Sequence, residues 1–347
     1  MTATIGVDVG ATTISAGLVT PEGNILHSLE TPTREVGSGT VMGRLLEVID
    51  DLVTCARAQG VAVDGIGVGL AGAVDPARGT MLPFGGNALP ELAHVPLDED
   101  IRRVTAVPVF VDNDANALAL AEWMFGVGRG AHSLVLFAIG THVGGGVIID
   151  DVLVRGCRGY AGEFHGLSIN FEGPPCPAGR GCLGEYVGGQ AMAAEARQQI
   201  EAGAGAALLE LAGGDAAKIT SALVFQAAAS GEPVARALVD RACDALAAGL
   251  GFIVNGLNPE VIVVTGGVAR SLVALAEDLR RRAGAYALPP ALASTRICVV
   301  PGDKRQTARG GAALVRYELD RRRRSKPSVR RKRMPKDLAA DPRAAGG

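Results

Sequence analysis

The feature that most constrains this chain is a unit that occurs twice. Residues 4–19, TIGVDVGATTISAGLV, read as two short β-type runs joined by a glycine-bearing turn, and residues 133–150, SLVLFAIGTHVGGGVIID, repeat that order of strand, turn and strand. Two similar halves are implied. In the first half the turn PEGN at 21–24 and the run ILHSL complete a β-meander, and a helical stretch fills 40–59. GIGVGLAG is the next strand, and VPVFVDND at 107–114 is a buried strand that ends in acids just before the helix ANALALAEWMFG. The second half has a long helical segment over 233–256, a strand in EVIVVTGGVA at 260–269, a helix near 271–285, the strand RICVVP, and a final helix over 307–320. Strands alternating with helices in both halves predict an α/β fold of two lobes, each a mixed sheet flanked by helices.

Composition fits that reading. The 347 residues suffice for about two domains. Hydrophobic residues make up 48% but aromatics only 4%, so with 48 glycines the core must be built from Ala, Val, Leu and Ile, with many tight turns. No apolar run reaches the roughly 18 residues of a membrane span, and MTATIGVDVG lacks the basic start and apolar stretch of a signal peptide, which together point to a cytoplasmic location with no membrane partner. Six scattered cysteines suit reduced thiols or metal ligands better than a disulfide framework.

The net charge of -2 hides an asymmetry: residues 321–347 carry eleven Lys or Arg against two Asp, a balance of +9 that leaves -11 for residues 1–320. That tail has almost no apolar content and is expected to be disordered. It is either a solvated tail or an arm for a polyanion. Without an aromatic residue to stack on bases, nucleic acid is a poor candidate partner.

Chemistry gathers at the turns. Asp8, Gly10, Thr12 and Thr13 form one group, and Gly140, Thr141, Gly144 and Gly145 the other; in each, glycines open backbone N–H groups to an anion and threonines add hydroxyl donors. Gly266 and Gly267, in TGGV at the end of a strand, could approach a nucleotide base or ribose. Asn113 and Asp114 sit where a strand gives way to a helix. Asp114 there is either a general base for an attacking hydroxyl or simply a helix cap, although VDNDAN holds more acids and amides than one cap needs.

These motifs resemble the ROK family of sugar kinases and related repressors, within the actin-like ATPase superfamily with its ribonuclease H-like lobes. DVGATT stands against the family's DxGGTK, GTHVGGG against GTGxGGG, AGEFHG against GExGH, and CPAGRGCLGE against CxCGxxGCxE, with DNDANALALAE between; the similarity covers nearly all of residues 4–316. The resemblance implies a small lobe over 1–121 with helix 307–320 packed back on it, and a larger lobe over 122–306 with a degenerate zinc loop at 157–188. It implies transfer of the γ-phosphate of ATP to a sugar hydroxyl, with Asp114 as base, Asp8 near Mg²⁺ and the phosphates, and Thr12 and Thr141 on phosphate. Asn87, Asn113, Asp114, Glu163, His165 and Glu185 would line the sugar site, and the protein would be a homodimer.

The acceptor segment departs from the pattern. The middle cysteine of the zinc loop is Ala178, leaving Cys176, Cys182 and His165 as candidate zinc ligands with Cys157 as a substitute fourth, whereas a closed zinc site takes four. His165 stands two residues after Glu163 rather than three, and Glu185 is displaced by Gly184. His142 replaces a glycine, so that turn is expected to differ. A remodelled pocket leaves the acceptor open between a glucose-type hexose and a carbocyclic mimic such as a C7-cyclitol, and it leaves open an inactive sugar sensor. A repressor would need a DNA-binding domain ahead of Asp8, for which this chain has no room.

Overall fold

The first apolar run becomes β1 (Thr2–Val9), which folds back antiparallel into β2 (Thr13–Val19) and then β3 (Ile25–Pro32), Gly23 supplying the positive φ of 86° in the second turn. After α1 (Val41–Ala58), capped by Thr40, β4 (Ala62–Leu70) pairs parallel with β1. A small hairpin of β5 (Val74–Asp75) and β6 (Thr80–Met81) and then α2 (Leu97–Thr105) lead to β7 (Val109–Asn113), parallel to β4, and to α3 (Asp114–Phe125). The sheet order is β3-β2-β1-β4-β7. The computed structural model describes residues 1–34, 39–75, 78–82 and 89–325, the side chains of 304–306 and 325 excepted.

The second lobe repeats the plan. A meander of β8 (Leu134–Ile139), β9 (Val143–Ile149) and β10 (Val152–Leu153) is extended on the other side of β8 by parallel β13 (Val261–Thr265) and β14 (Arg296–Val299), in the order β10-β9-β8-β13-β14. Between β10 and β13 lie a hairpin of β11 (Pro175–Cys176) and β12 (Gly179–Arg180) and the helices α4 (Gly184–Val187), α5 (Gly189–Glu201), α6 (Ala206–Leu211), α7 (Ser221–Ala229) and α8 (Pro233–Leu257). Then α9 (Ala269–Leu272), α10 (Ala276–Ala283) and α11 (Pro289–Ser294) follow β13, and α12 (Lys304–Ser325) ends the described chain. Among the described residues no helix is long and apolar enough to cross a membrane.

Three apolar clusters hold this together. Side chains alternate across the strands, so Val135, Phe137, Ile262 and Val264 face the helices of the second lobe, while Leu134, Leu136, Val261 and Val263 face a separate cluster with Leu120 of α3 and Leu314 and Val315 of α12. Both faces of the second sheet are therefore covered, which is why its central strands are continuously apolar. A third cluster joins β1, β2 and β4 to α1 and α2.

The last helix lies directly on the first sheet. A Cβ on Gly6 would run into the carbonyl of Ala308, and one on Gly67 into that of Gly311, so glycine at these positions allows helix and strand backbones to touch. Two sequence expectations change here. Residues 321–325, for which composition predicts disorder, continue α12, because Arg321 pairs with Glu318 (2.9 Å) and the guanidinium of Arg322 rests 4.6 Å from the ring centroid of Phe110. Residues 326–347 lie outside the described residues. The lobe boundary at 121/122 falls inside α3, which runs unbroken from Asp114 to Phe125.

Candidate functional site

The VDNDAN corner divides its labour. Asn113 is the cap of α3: its Oδ1 accepts from the N–H groups of Ala115 (2.9 Å) and Asn116 (3.1 Å), and its Nδ2 donates to the carbonyl of Gly72 (3.1 Å). Asp112 is buried, with Oδ1 accepting from Asn113 N–H (2.8 Å) and Asn116 Nδ2 (2.9 Å) and Oδ2 from Arg155 Nε (2.6 Å). Asp114 is left as the half-buried acid of the corner, its Oδ1 accepting from Ala115 N–H (2.7 Å). Burial first, then the charge of Asp8, with Glu163 adding, push its carboxyl up to about 7. Asp8 on β1 and Glu163, in the segment after β10, thus both act on Asp114.

The turn at 10–13 is strapped from behind. Gly10 N–H donates to Thr13 O (3.0 Å), Thr33 Oγ1 donates to Gly10 O (2.8 Å), Thr33 N–H donates to Thr12 O (3.0 Å), and Arg34 Nη1 donates to Ala11 O (2.9 Å). Arg34 is itself held by a two-pronged pair with Glu91, Nε to Oε1 at 2.8 Å and Nη2 to Oε2 at 2.9 Å. With its carbonyls so engaged, the turn leaves Thr12 exposed.

The second turn joins three segments. Gly140 N–H donates to His142 O (2.9 Å), Gly189 N–H at the start of α5 donates to Gly140 O (2.8 Å), and Val268 N–H donates to Ile139 O (3.0 Å). Gly266 has φ of 101° and backs onto Ile139, so the turn at 140–141, the TGG segment and the start of α5 converge. Thr141 is exposed. Gly144 and Gly145 lie within β9, where close packing also demands glycine: a Cβ would press Gly144 on Ala115 and Gly145 on Phe164. His142 keeps a negative φ, so this position takes a side chain without backbone strain.

In the segment after β10, Phe164 stacks on buried Phe137 with ring centroids 4.6 Å apart, fixing the short turn that carries Glu163 and His165. His165 Nε2 lies 3.4 Å from Glu185 Oε1, and its ring meets His142 edge-on at 5.7 Å. Glu163 is exposed, yet surrounding protein raises its carboxyl against the opposing pull of His165. Asn87 lies outside the described residues.

The zinc expectation does not fit. Cys176 and Cys182 are paired with each other as a disulfide, closing the hairpin around Ala178, so neither sulfur is a thiolate. His165 leaves its buried Nδ1 without a partner, but Cys157 is a separate exposed thiol, and the described residues include no group of three or more His, Cys, Asp or Glu able to hold a metal ion.

Sequence reasoning named both turns, Asp114, Glu163, His165 and Glu185; the structure sets Asp8 and Glu163 near enough to act on Asp114, and His165 beside Glu185. Sequence reasoning missed Thr33, Arg34, Glu91 and the buried set of Asp112, Arg155 and Glu318, whose members come from distant segments with no motif spacing.

The profile of the ROK family matches residues 4–318. A glucokinase of Thermotoga maritima is 31% identical over 317 residues, 91% of this chain and 98% of that protein. The crystal structure of a ROK family glucokinase from Streptomyces griseus with glucose and AMPPNP superposes with a TM-score of 0.74 at 31% identity, covering 90% of this chain and 99% of the other. A ROK family transcriptional regulator, a homologue of the E. coli MLC protein, superposes at 0.78 with 25% identity, covering 92% and 79%. The two mixed sheets flanked by helices are thus an actin-like ATPase architecture, and the chain belongs to the ROK family.

Proposed function

We propose that this chain is a sugar or polyol kinase that moves the γ-phosphoryl group of ATP to an acceptor hydroxyl, most simply a primary one, with Asp114 as the base. The observation that carries this reading is the carboxyl of Asp114, half-buried at the head of α3 and raised to about 7, where it can hold a proton yet give it up near neutral pH. In the reaction the acceptor oxygen attacks the γ-phosphorus, the bond to the β-bridging oxygen breaks, ADP departs, and the hydroxyl proton passes to Asp114. Most of the rate must come from positioning and charge stabilisation.

The residues on the page fit the nucleotide: Thr12 and Thr141 offer exposed hydroxyls on two constrained turns, with Gly10, Gly140, Gly266 and Gly267 beside them. Asp8 would hold Mg²⁺, which supplies neutralisation of phosphate charge when bound. Asn113, Glu163, His165 and Glu185 would hold the acceptor, and Asn113 Nδ2 keeps a second N–H beyond the one given to Gly72. Glucokinase relatives favour a glucose-type hexose. The displaced His165 and Glu185 and the disulfide-closed hairpin favour an altered acceptor, for which a C7-cyclitol is the alternative.

The test is ADP release with Mg-ATP and a panel of glucose, mannose, fructose, N-acetylmannosamine and a C7-cyclitol. Turnover of a hexose supports the plain kinase, and turnover confined to the cyclitol supports the altered acceptor. The likeness to a transcriptional regulator favours one further reading, a sugar-binding protein without turnover. Calorimetric sugar binding with no ADP release would establish it.

A further inference from the structure

A buried arginine of the second lobe is fastened to the corner that carries Asp114. Arg155 follows β10, with only 12% of its side chain exposed; its Nε donates to Asp112 Oδ2 (2.6 Å) and its Nη2 to Glu318 Oε1 (2.7 Å). The two carboxylates are buried in turn, at 2% and 7% side-chain exposure, and belong to β7 and α12. The other oxygen of Asp112 accepts from Asn113 N–H and Asn116 Nδ2, and Asn113 caps the helix that begins at Asp114. Tyr317 completes the clamp, with its ring centroid 5.7 Å from the guanidinium and its hydroxyl accepting from Leu153 N–H (2.9 Å). From Glu318 to Asp114 the chain of contacts has no gap.

We infer that Arg155 is a positioning residue: it sets the β7–α3 corner, and with it Asp114, against the second lobe.

Stability alone is a poor account of this arrangement, because desolvating an arginine and two carboxylates offsets much of their attraction, and apolar replacements of such triads are often as stable. What an apolar set lacks is direction. A guanidinium presents separate nitrogens at fixed angles to two acceptors, which an ammonium cannot do. The sequence also places Arg155 eight residues ahead of Glu163, on the excursion that leads into the acceptor side, so one segment meets both the base and the acceptor residues.

The inference rests on the reading of Asp114 as the base, so its test has one readout that needs no turnover. In Arg155→Met, measured well below its melting temperature, kcat for the best acceptor is expected to fall at least 30-fold while KM for ATP changes less than threefold. Hydrogen exchange in peptides covering 113–117 is expected to quicken at least tenfold, with α1 unchanged. Arg155→Lys should recover part of the loss, and it gives the same comparison if the methionine variant does not fold. Unchanged exchange over 113–117 would overturn the inference whether or not any acceptor is turned over. A kcat within threefold of the parent would also overturn it, leaving the kinase reading intact. Faster exchange in a protein whose parent phosphorylates nothing would uphold the corner's dependence on Arg155 and count against the kinase reading alone.

Discussion

Asp114 gives the sharpest residue-scale prediction. As a base it works only when ionised, so kcat/KM should rise with pH through about 7 and level off above. Asp114→Asn should lower kcat by at least about 10³-fold, in the range expected for losing a general base. The same shift has a stability consequence. Its folded pKa lies above the ordinary value of 3.8, so its contribution is fully present below about 4 and is lost as pH rises through about 7. Asp114→Asn should therefore melt at a higher temperature than the parent at pH 8, with the difference vanishing toward pH 4 in a thermal scan. A lower melting temperature at pH 8 would contradict the raised pKa. Arg34→Ala, which frees Ala11 O and breaks the pair with Glu91, should raise KM for ATP severalfold and leave kcat nearly unchanged, as steady-state kinetics would show.

At the scale of elements, the glycines facing α12 set the limits. Gly67→Ala should destabilise by about 1–3 kcal/mol or more through overpacking, because the added methyl meets the backbone carbonyl of Gly311 rather than a side chain that can turn away. Thermal melting of this variant beside Gly60→Ala, whose Cβ would meet open space but whose φ is 64°, separates clash from backbone strain. The elements themselves were largely legible. The runs at 2–9, 13–19, 62–70, 109–113, 134–139 and 261–265 are apolar on one or both faces and have glycine or proline close by at one end or the other, so period and punctuation give them away. The small helices between 184 and 229 carry no comparable stripe, and the strap of Thr33 and Arg34 across the first turn has none at all. The Arg155–Glu318 pair spans 163 residues, and a single sequence has no spacing that signals such a contact. The degenerate zinc loop shows the opposite limit: a motif was visible, but what two thiols do depends on whether other ligands come within reach.

For the whole molecule, the two sheets share one topology and meet through α3 and α12, so ligands that touch both turns bind across the joint. Glucose together with a non-hydrolysable ATP analogue should raise the melting temperature more than either alone, and a ligand at about 100 times its Kd contributes roughly 2.7 kcal/mol. Small-angle scattering should show the radius of gyration falling only when both are present. Failure of the pair to exceed the single ligands would argue against a shared cleft.

The seat of α12 on β1 and β4 also bears on synthesis. The strands of the first lobe leave the ribosome early, but the backbone that fits against Gly6 and Gly67, at Ala308 and Gly311, is made only after the second lobe. N-terminal lobes ordinarily fold first as the chain emerges. Here the first lobe must wait, with one sheet face uncovered, until the whole second lobe has been synthesised, so an apolar surface of the nascent chain stays open in the meantime.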